Sequence, residues 1–459
     1  MSNPVYVVHC IDTEGPLYES VEATFERLRS IFNLHLEPST ALLRRLQAGA
    51  VDLGGMEDAV RKVVDPHLLT YNDTWDKVDT MLADIMSGPY RNRLLDVEGN
   101  GWVYNWFCVD HVGYAINPRR RDMGHHNIFD HYRCMIRDTA SLRDGQHFHF
   151  HPHNFRDEGH RCATHWWAHS GTLHQILSRR LIERQWFPAA HRAGFHVIRP
   201  DSHWFLEQFI PFDFSSQAAV PTGEDRSQLD IRGGRFGDWR HAPVTWEPYH
   251  PAHDDYQLPG ACRRWTARCL NVGTRFKLLT EDDVRQAFRE AREGKPVVLA
   301  FTDHDFRDMR PDIEQVRGTL SNVAGEFPGV PFVFSEAVES MRKALGLSAE
   351  PPCELDMSLR SVESKHLLEV RSDTPTFGPQ PWLALKTAAG TYHFDNFDID
   401  IPFHRWQYVF DEETYPLNAL SAIGVAANNA FGITTVSLMD PTTTKVTKRH
   451  WNLPNERPS

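Results

Sequence analysis

The 459-residue chain carries 49 Lys+Arg against 61 Asp+Glu, a formal net charge of −12 that opposes the counterion release on which nucleic-acid and anionic-membrane binding rest. At 41% hydrophobic and 24% charged residues the composition is that of a folded globular protein, neither disordered nor collagen-like. Seven scattered cysteines without a Cys-x-x-Cys pair indicate neither a zinc ribbon nor a disulfide framework, no apolar run approaches the ~20 residues of a membrane span, and no basic signal-peptide pattern opens the chain, so a cytoplasmic location is expected.

Val5 to Ile11 is a β-branched run that stops at Asp12-Thr13-Glu14-Gly15-Pro16, a buried strand delivering acidic residues at its C-terminal edge, where active sites of α/β barrels lie. Helical patterns follow at about 19 to 47 and 74 to 87. The aromatic, His-rich stretch Trp102 to Tyr132 lacks periodicity and reads as an insertion, at about 90–140. Gln146 to His151 is the next strand expected, followed by a helix from Ser170 with Leu173, Ile176, Leu177, Leu181 and Ile182 on one face. Phe195 to Ile198 is a short apolar run before Arg199-Pro200, and Thr280 to Asp283 is a helix start of capping-box type. Val297 to Phe301 is a clean buried strand ending in Thr302-Asp303-His304-Asp305, and Ser335 is the expected cap of a last helix before the Pro351-Pro352 break. Alternating strands and helices predict a parallel sheet in a distorted (β/α) barrel over 1–348. From 353 to 459 short strand-like runs, interrupted by an apparent helix at Asn418 to Ala430, predict a mostly β, sandwich-like domain.

Twelve of the 26 histidines fall between His111 and His174, and His147-x-His149-x-His151-Pro152-His153 is the densest run. Alternate strand residues share a face, and several imidazoles there have no packing rationale, so a metal site is expected. Three strand ends thus carry chemistry: Asp12 and Glu14; the histidine run; and Asp303, His304 and Asp305. A barrel would bring them to one mouth, with one carboxylate binding a metal and the other acting as a base. Asp110-His111 and His125-His126 are candidates for a second site or for structural roles. Trp166-Trp167 and Trp204 would stack on a sugar or pack in the core.

These motifs, in this order, resemble those of the polysaccharide deacetylases of carbohydrate esterase family four. Cys10-Ile11-Asp12-Thr13-Glu14-Gly15-Pro16 is similar to the acidic first motif, which implies Asp12 as catalytic base and Glu14 as metal ligand. The four-residue His spacing of the second motif is met by His149/His153 and by His147/His151; the first pair is preferred, with Pro152 expected to turn His153 back toward the ion. His151 and His147 are then expected to sit behind the ligands or to touch the substrate, along with Asp303, Asp305 and Trp204. Arg199-Pro200 resembles the motif whose Arg orients the base, Phe212-Asp213-Phe214-Ser215-Ser216 with Pro221 resembles a further one, and His304 resembles the general acid. The resemblance implies a divalent metal, zinc being suited to such a site, and hydrolysis of an N-acetyl amide on a carbohydrate or a nucleotide- or lipid-linked precursor. Two other readings stay open: hydrolysis of a non-sugar small-molecule amide, and a catalytically silent glycan-binding protein.

Overall fold

The computed structural model describes residues 2–113, 119–120, 122–152, 166–220, 237–347, 350–363 and 365–453. Seven parallel strands close into a barrel: β1 (Val5–Thr13), β2 (Tyr104–Cys108), β3 (Gly145–Phe150), β4 (Ala190–Ala193), β5 (Phe212–Ser216), β6 (Trp265–Asn271) and β7 (Val297–His304), with β1 pairing both β2 and β7. β8 (Phe332–Phe334) pairs the first residues of β1, below the point where β2 joins it. Every residue of β1 is buried, the continuous apolar reading expected of a parallel strand covered on both faces.

The helices of the first part are α1 (Val21–Phe32), α2 (Thr40–Gln47), α3 (Glu57–Val63), α4 (Pro66–Leu69), α5 (Trp75–Ile85), α6 (Gly88–Arg91) and α7 (Asn127–Asp138). Trp102 to Tyr132 is therefore no insertion: it supplies barrel strand β2 and most of its following helix, with Trp102, Tyr104, Trp106 and Tyr132 in the main core. Its aromatic residues hide the periodicity because nearly all of them face inward. The added structure lies between β1 and β2, where α1 to α3 build a satellite core of Phe25, Leu28, Phe32, Leu46, Val60 and Val63. The expected helix over 19–47 is two helices, because Asn33 closes α1 in a left-handed conformation and Ser39 caps α2.

α8 (Ser170–Arg184) buries the predicted Leu173, Ile176, Leu177 and Leu181 face, and α9 (Pro200–Phe209) follows β4. α10 (Glu281–Arg292) begins with the Thr280/Asp283 capping box, α11 (Arg310–Glu326) follows β7, and α12 (Ala337–Ala344) is capped by Glu336 instead of Ser335. Phe195 to Ile198 is not a strand: β4 ends at Ala193, and Phe195 and His196 both turn left-handed at φ 51° and 56°.

Two antiparallel sheets follow. One orders β13 (Asp398–Ile401), β14 (Arg405–Phe410), β10 (Lys365–Arg371) and β9 (Asp356–Val362); the other orders β12 (Tyr392–Asp395), β11 (Trp382–Thr387), β15 (Leu420–Asn428), β16 (Thr434–Met439) and β17 (Val446–Trp451). They share a core of Leu368, Val370, Leu383, Trp406, Ile423 and Val425. The helix expected over 418–430 is strand β15, whose Ala and Gly residues pair with β11 and β16 despite their low strand propensity. The other face of the five-stranded sheet rests on the barrel's α8, where Trp382 donates its indole N–H to the Ser178 hydroxyl at 3.1 Å. Asn428 donates to the carbonyls of Pro188 and Phe209, both at 2.8 Å. No helix among the described residues is long and apolar enough to cross a membrane. Among the described residues six cysteines are free.

Candidate functional site

Strand register assembles the site at the C-terminal mouth of the barrel. Asp12 at the end of β1 lies opposite His304 at the end of β7, and His149 on β3 lies opposite Arg192 on β4. These two neighbouring-strand pairs then meet across the mouth: Arg192 clamps Asp12 through Nε to Oδ1 at 2.6 Å and Nη2 to Oδ2 at 3.0 Å, and His304 Nε2 stands 3.6 Å from Oδ2. The Arg192 side chain is fully buried and also donates to the Phe214 carbonyl at 3.2 Å and to His196 Nε2 at 3.0 Å.

Ligand atoms of Glu14, His149 and His151 lie within 4.8 Å of one another, a group able to hold a metal ion. His149 Nδ1 sits 2.8 Å from the Arg192 carbonyl, which only accepts, so Nδ1 carries the proton and Nε2 a lone pair. That Nε2 is buried and has no hydrogen-bond partner among the described residues. An orphaned imidazole lone pair aimed at a carboxylate and a second imidazole is the arrangement a divalent ion satisfies. The three donors leave room for a further ligand.

Electrostatics at the mouth are set by burial and by neighbouring charge. Burial pushes the Glu14 carboxyl up, but Arg120, His151 and His304 more than offset it and hold it well below the usual carboxylate range. Burial lowers His149, His151 and His196, and takes His304 down to about 3, so these imidazoles are neutral at pH 7. Asp305 accepts from the backbone N–H groups of Glu14 and Gly15, both at 2.8 Å, and from the Tyr132 hydroxyl at 2.8 Å, pinning the turn that presents Glu14. Burial raises Asp305 to about 6 against these donors. His111 donates to the Glu14 carbonyl at 3.1 Å, a second tether on that turn.

Several expectations are corrected by this geometry. Arg199 caps α9 and turns back on its own Ile198 carbonyl at 3.1 Å; the guanidinium on Asp12 belongs to Arg192. His151, expected behind the ligands, joins Glu14 and His149 in the group able to hold a metal ion, its ring 4.7 Å from that of His149. His153 and Pro221 lie outside the described residues. His147 points lower into the barrel, 3.2 Å from Asn105 Oδ1 and 3.0 Å from Glu336. Asp303 is buried, accepts from the His304 N–H at 2.7 Å and does not reach the mouth. Trp204 is 51% exposed on α9, stacked on His253, away from the cavity, and Trp166 is core. Asp110 is a buried partner of Arg180 and His126 of Glu183, both structural. Asp213 is buried beside His191 and Arg264.

Arg192 and Tyr132 escaped the sequence reading. β4 is only four residues long, with no hydrophobic period to mark its end, and Tyr132 sits in the stretch misread as an insertion. A cavity of about 190 Å³ opens from Asp12, Glu14, His151 and His304 outward to Phe306, Tyr71 and the α1–α4 layer, lined there by Ile31, Val63 and Leu68. No family model matches the sequence, and neither the curated proteins nor the solved structures yield a match.

Proposed function

We propose that the protein is a metal-dependent amide hydrolase of polysaccharide deacetylase type, removing an N-acyl group, with an N-acetylated amino-sugar precursor as the leading substrate. The observation that carries the reading is the triangle of Glu14, His149 and His151 donors set beside an Arg-clamped carboxylate and a neutral imidazole. A divalent ion held there would polarise the acyl carbonyl and acidify a water. Asp12, oriented by Arg192, takes a proton from the attacking water. His304, neutral at rest and 3.6 Å from Asp12, receives the proton that Asp12 has taken from the water and passes it to the leaving nitrogen. Arg192 fixes both oxygens of Asp12 through its two hydrogen bonds. The cavity is small against the several hundred Å³ of typical ligand pockets, which favours a small molecule over a polymer and keeps non-sugar amides as the second reading. All site groups are present together, which speaks against a catalytically silent glycan binder.

Elemental analysis of the purified protein tests the reading. About one divalent ion per chain is expected, lost in Glu14→Ala and retained in Asp12→Asn, whose turnover on an amide should fall by roughly 10² or more. Undiminished metal in Glu14→Ala, or equal metal loss in both variants, would overturn the division of roles.

A further inference from the structure

The outer half of the cavity is arginine-rich in a protein of net charge −12. Five guanidinium groups line it, from four separate segments: Arg27 on α1, Arg119 and Arg120 after β2, Arg275 after β6 and Arg307 after β7. Phe306 is their hub, its ring 4.8 Å from the guanidinium carbons of both Arg120 and Arg307 and its centroid 4.8 Å from that of His304. The arginines therefore begin one ring away from the proposed general acid.

These groups are held in place, as binding groups are. Glu19, almost fully buried, bridges Arg27 at 3.0 Å and Arg119 at 2.9 Å and receives the Tyr71 hydroxyl at 3.3 Å. Arg120 pairs with Glu14. Arg27 Nε is buried without a hydrogen-bond partner, and the Arg307 side chain makes no ion pair or hydrogen bond among the described residues. Among the described residues Glu14 and Glu19 pair with Arg120, Arg27 and Arg119, and Asp12 pairs with Arg192, while no carboxylate pairs with Arg307. Asp303 and Asp312, behind Arg307, are both pushed up, by burial first and then by Asp312 on Asp303 and by Asp308 on Asp312, which weakens them as countercharge. Concentrating unsatisfied cationic donors in a closed cavity is costly unless an anion completes them, and the planar guanidinium fork matches phosphate and carboxylate oxygens.

We infer that the outer half of the cavity binds a dianionic oxyanion carried by the substrate, a phosphoryl group or a pair of carboxylates, and so selects an anionic amide whose acyl end reaches the Glu14, His149 and His151 group. The inference rests on the amide-hydrolase reading for the second half of that statement only; anion binding by the arginines stands apart from it. The neutral N-acetyl sugar is then the poorer member of its class.

Calorimetric titration of the metal-loaded protein at low salt with inorganic phosphate and, separately, with malonate tests the binding. At least one should bind, and the tighter of the two identifies the group as phosphoryl or dicarboxylate. Arg307→Gln and Arg27→Gln, with metal content unchanged, should each weaken that binding by ~10-fold or more, the loss expected for one charged fork. Two variants on different segments guard against a local folding defect in either. Failure of both anions to bind, or undiminished affinity in both variants, would overturn the inference; the latter would assign the anion to the metal group. Comparing an N-acetylated amino sugar with its phosphate ester separates the two proposals. Hydrolysis of both at equal kcat/KM upholds the hydrolase and refutes the anion site, whereas phosphate binding without hydrolysis of any amide does the reverse.

Discussion

Replacing Arg192 by Met removes both hydrogen bonds to Asp12, at 2.6 and 3.0 Å, and leaves a carboxylate that is 3% exposed with no cation against it. Breaking one side of a buried ion pair costs roughly 3 to 5 kcal/mol, because the remaining charge keeps its desolvation penalty. The contacts to the Phe214 carbonyl and His196 are lost as well, so the upper half of that range is expected. Arg192→Lys retains a positive charge, but an ammonium cannot span both carboxylate oxygens and the Phe214 carbonyl, so roughly 2 kcal/mol is expected. Arg199→Met, losing one bond to a neighbouring carbonyl at the surface end of α9, should cost less than about 1 kcal/mol. Urea unfolding, followed through the barrel transition with the m-value checked for constancy, measures all three. Turnover should be lost in Arg192→Met and largely kept in Arg199→Met. If Arg199→Met proved as damaging as Arg192→Met, the assignment of the clamp to β4 would be wrong.

Asp305→Ala should loosen the turn bearing Glu14 by removing the acceptor for two backbone N–H groups and the Tyr132 hydroxyl, and lower metal affinity by roughly 10- to 100-fold while the barrel still folds. Tyr132→Phe, losing one of those three bonds, should show the same effect more weakly, and unchanged metal affinity in both variants would free the turn from this control. His174, packed against Trp382 and Phe394 between α8 and the five-stranded sheet, is held by burial at about 4 against 6.5 unfolded. Its folded form binds fewer protons, so its contribution is full above pH 6.5 and is lost as pH falls toward 4. At roughly 1.4 kcal/mol per pH unit, halved for partial exposure, about 1 kcal/mol disappears between pH 6.5 and 5. Thermal unfolding across that window should have a shallower pH slope in His174→Gln, and identical slopes would remove His174 as the titrating group.

Some features of this protein follow from local sequence alone. Val5 to Thr13 and Val297 to His304 are apolar runs ending in charge, a pattern that makes a buried parallel strand with a chemical tip wherever it occurs, and the α8 face and the Thr280 cap are equally local. Period-two geometry put His147, His149 and His151 on one side of a strand. What the chain could not announce was who meets whom. Arg192 and Arg199 are both arginines near a strand end, and only the closing of the barrel, which sets β4 beside β3 and across from β1, brings one of them to Asp12 and leaves the other capping a helix. Placing His151 with Glu14 and His149 required the approach of the β1 end to the β3 end across the mouth, a property of the closed barrel. The Ala- and Gly-rich β15 became a strand because two neighbours offered it hydrogen bonds. The arginines around Phe306, up to 280 residues apart, are neighbours only because four segments converge on one mouth. Periodicity and strand-end chemistry are short-range and so are written in the sequence; pairing of charges across a barrel depends on closure, and closure is decided by the whole chain at once.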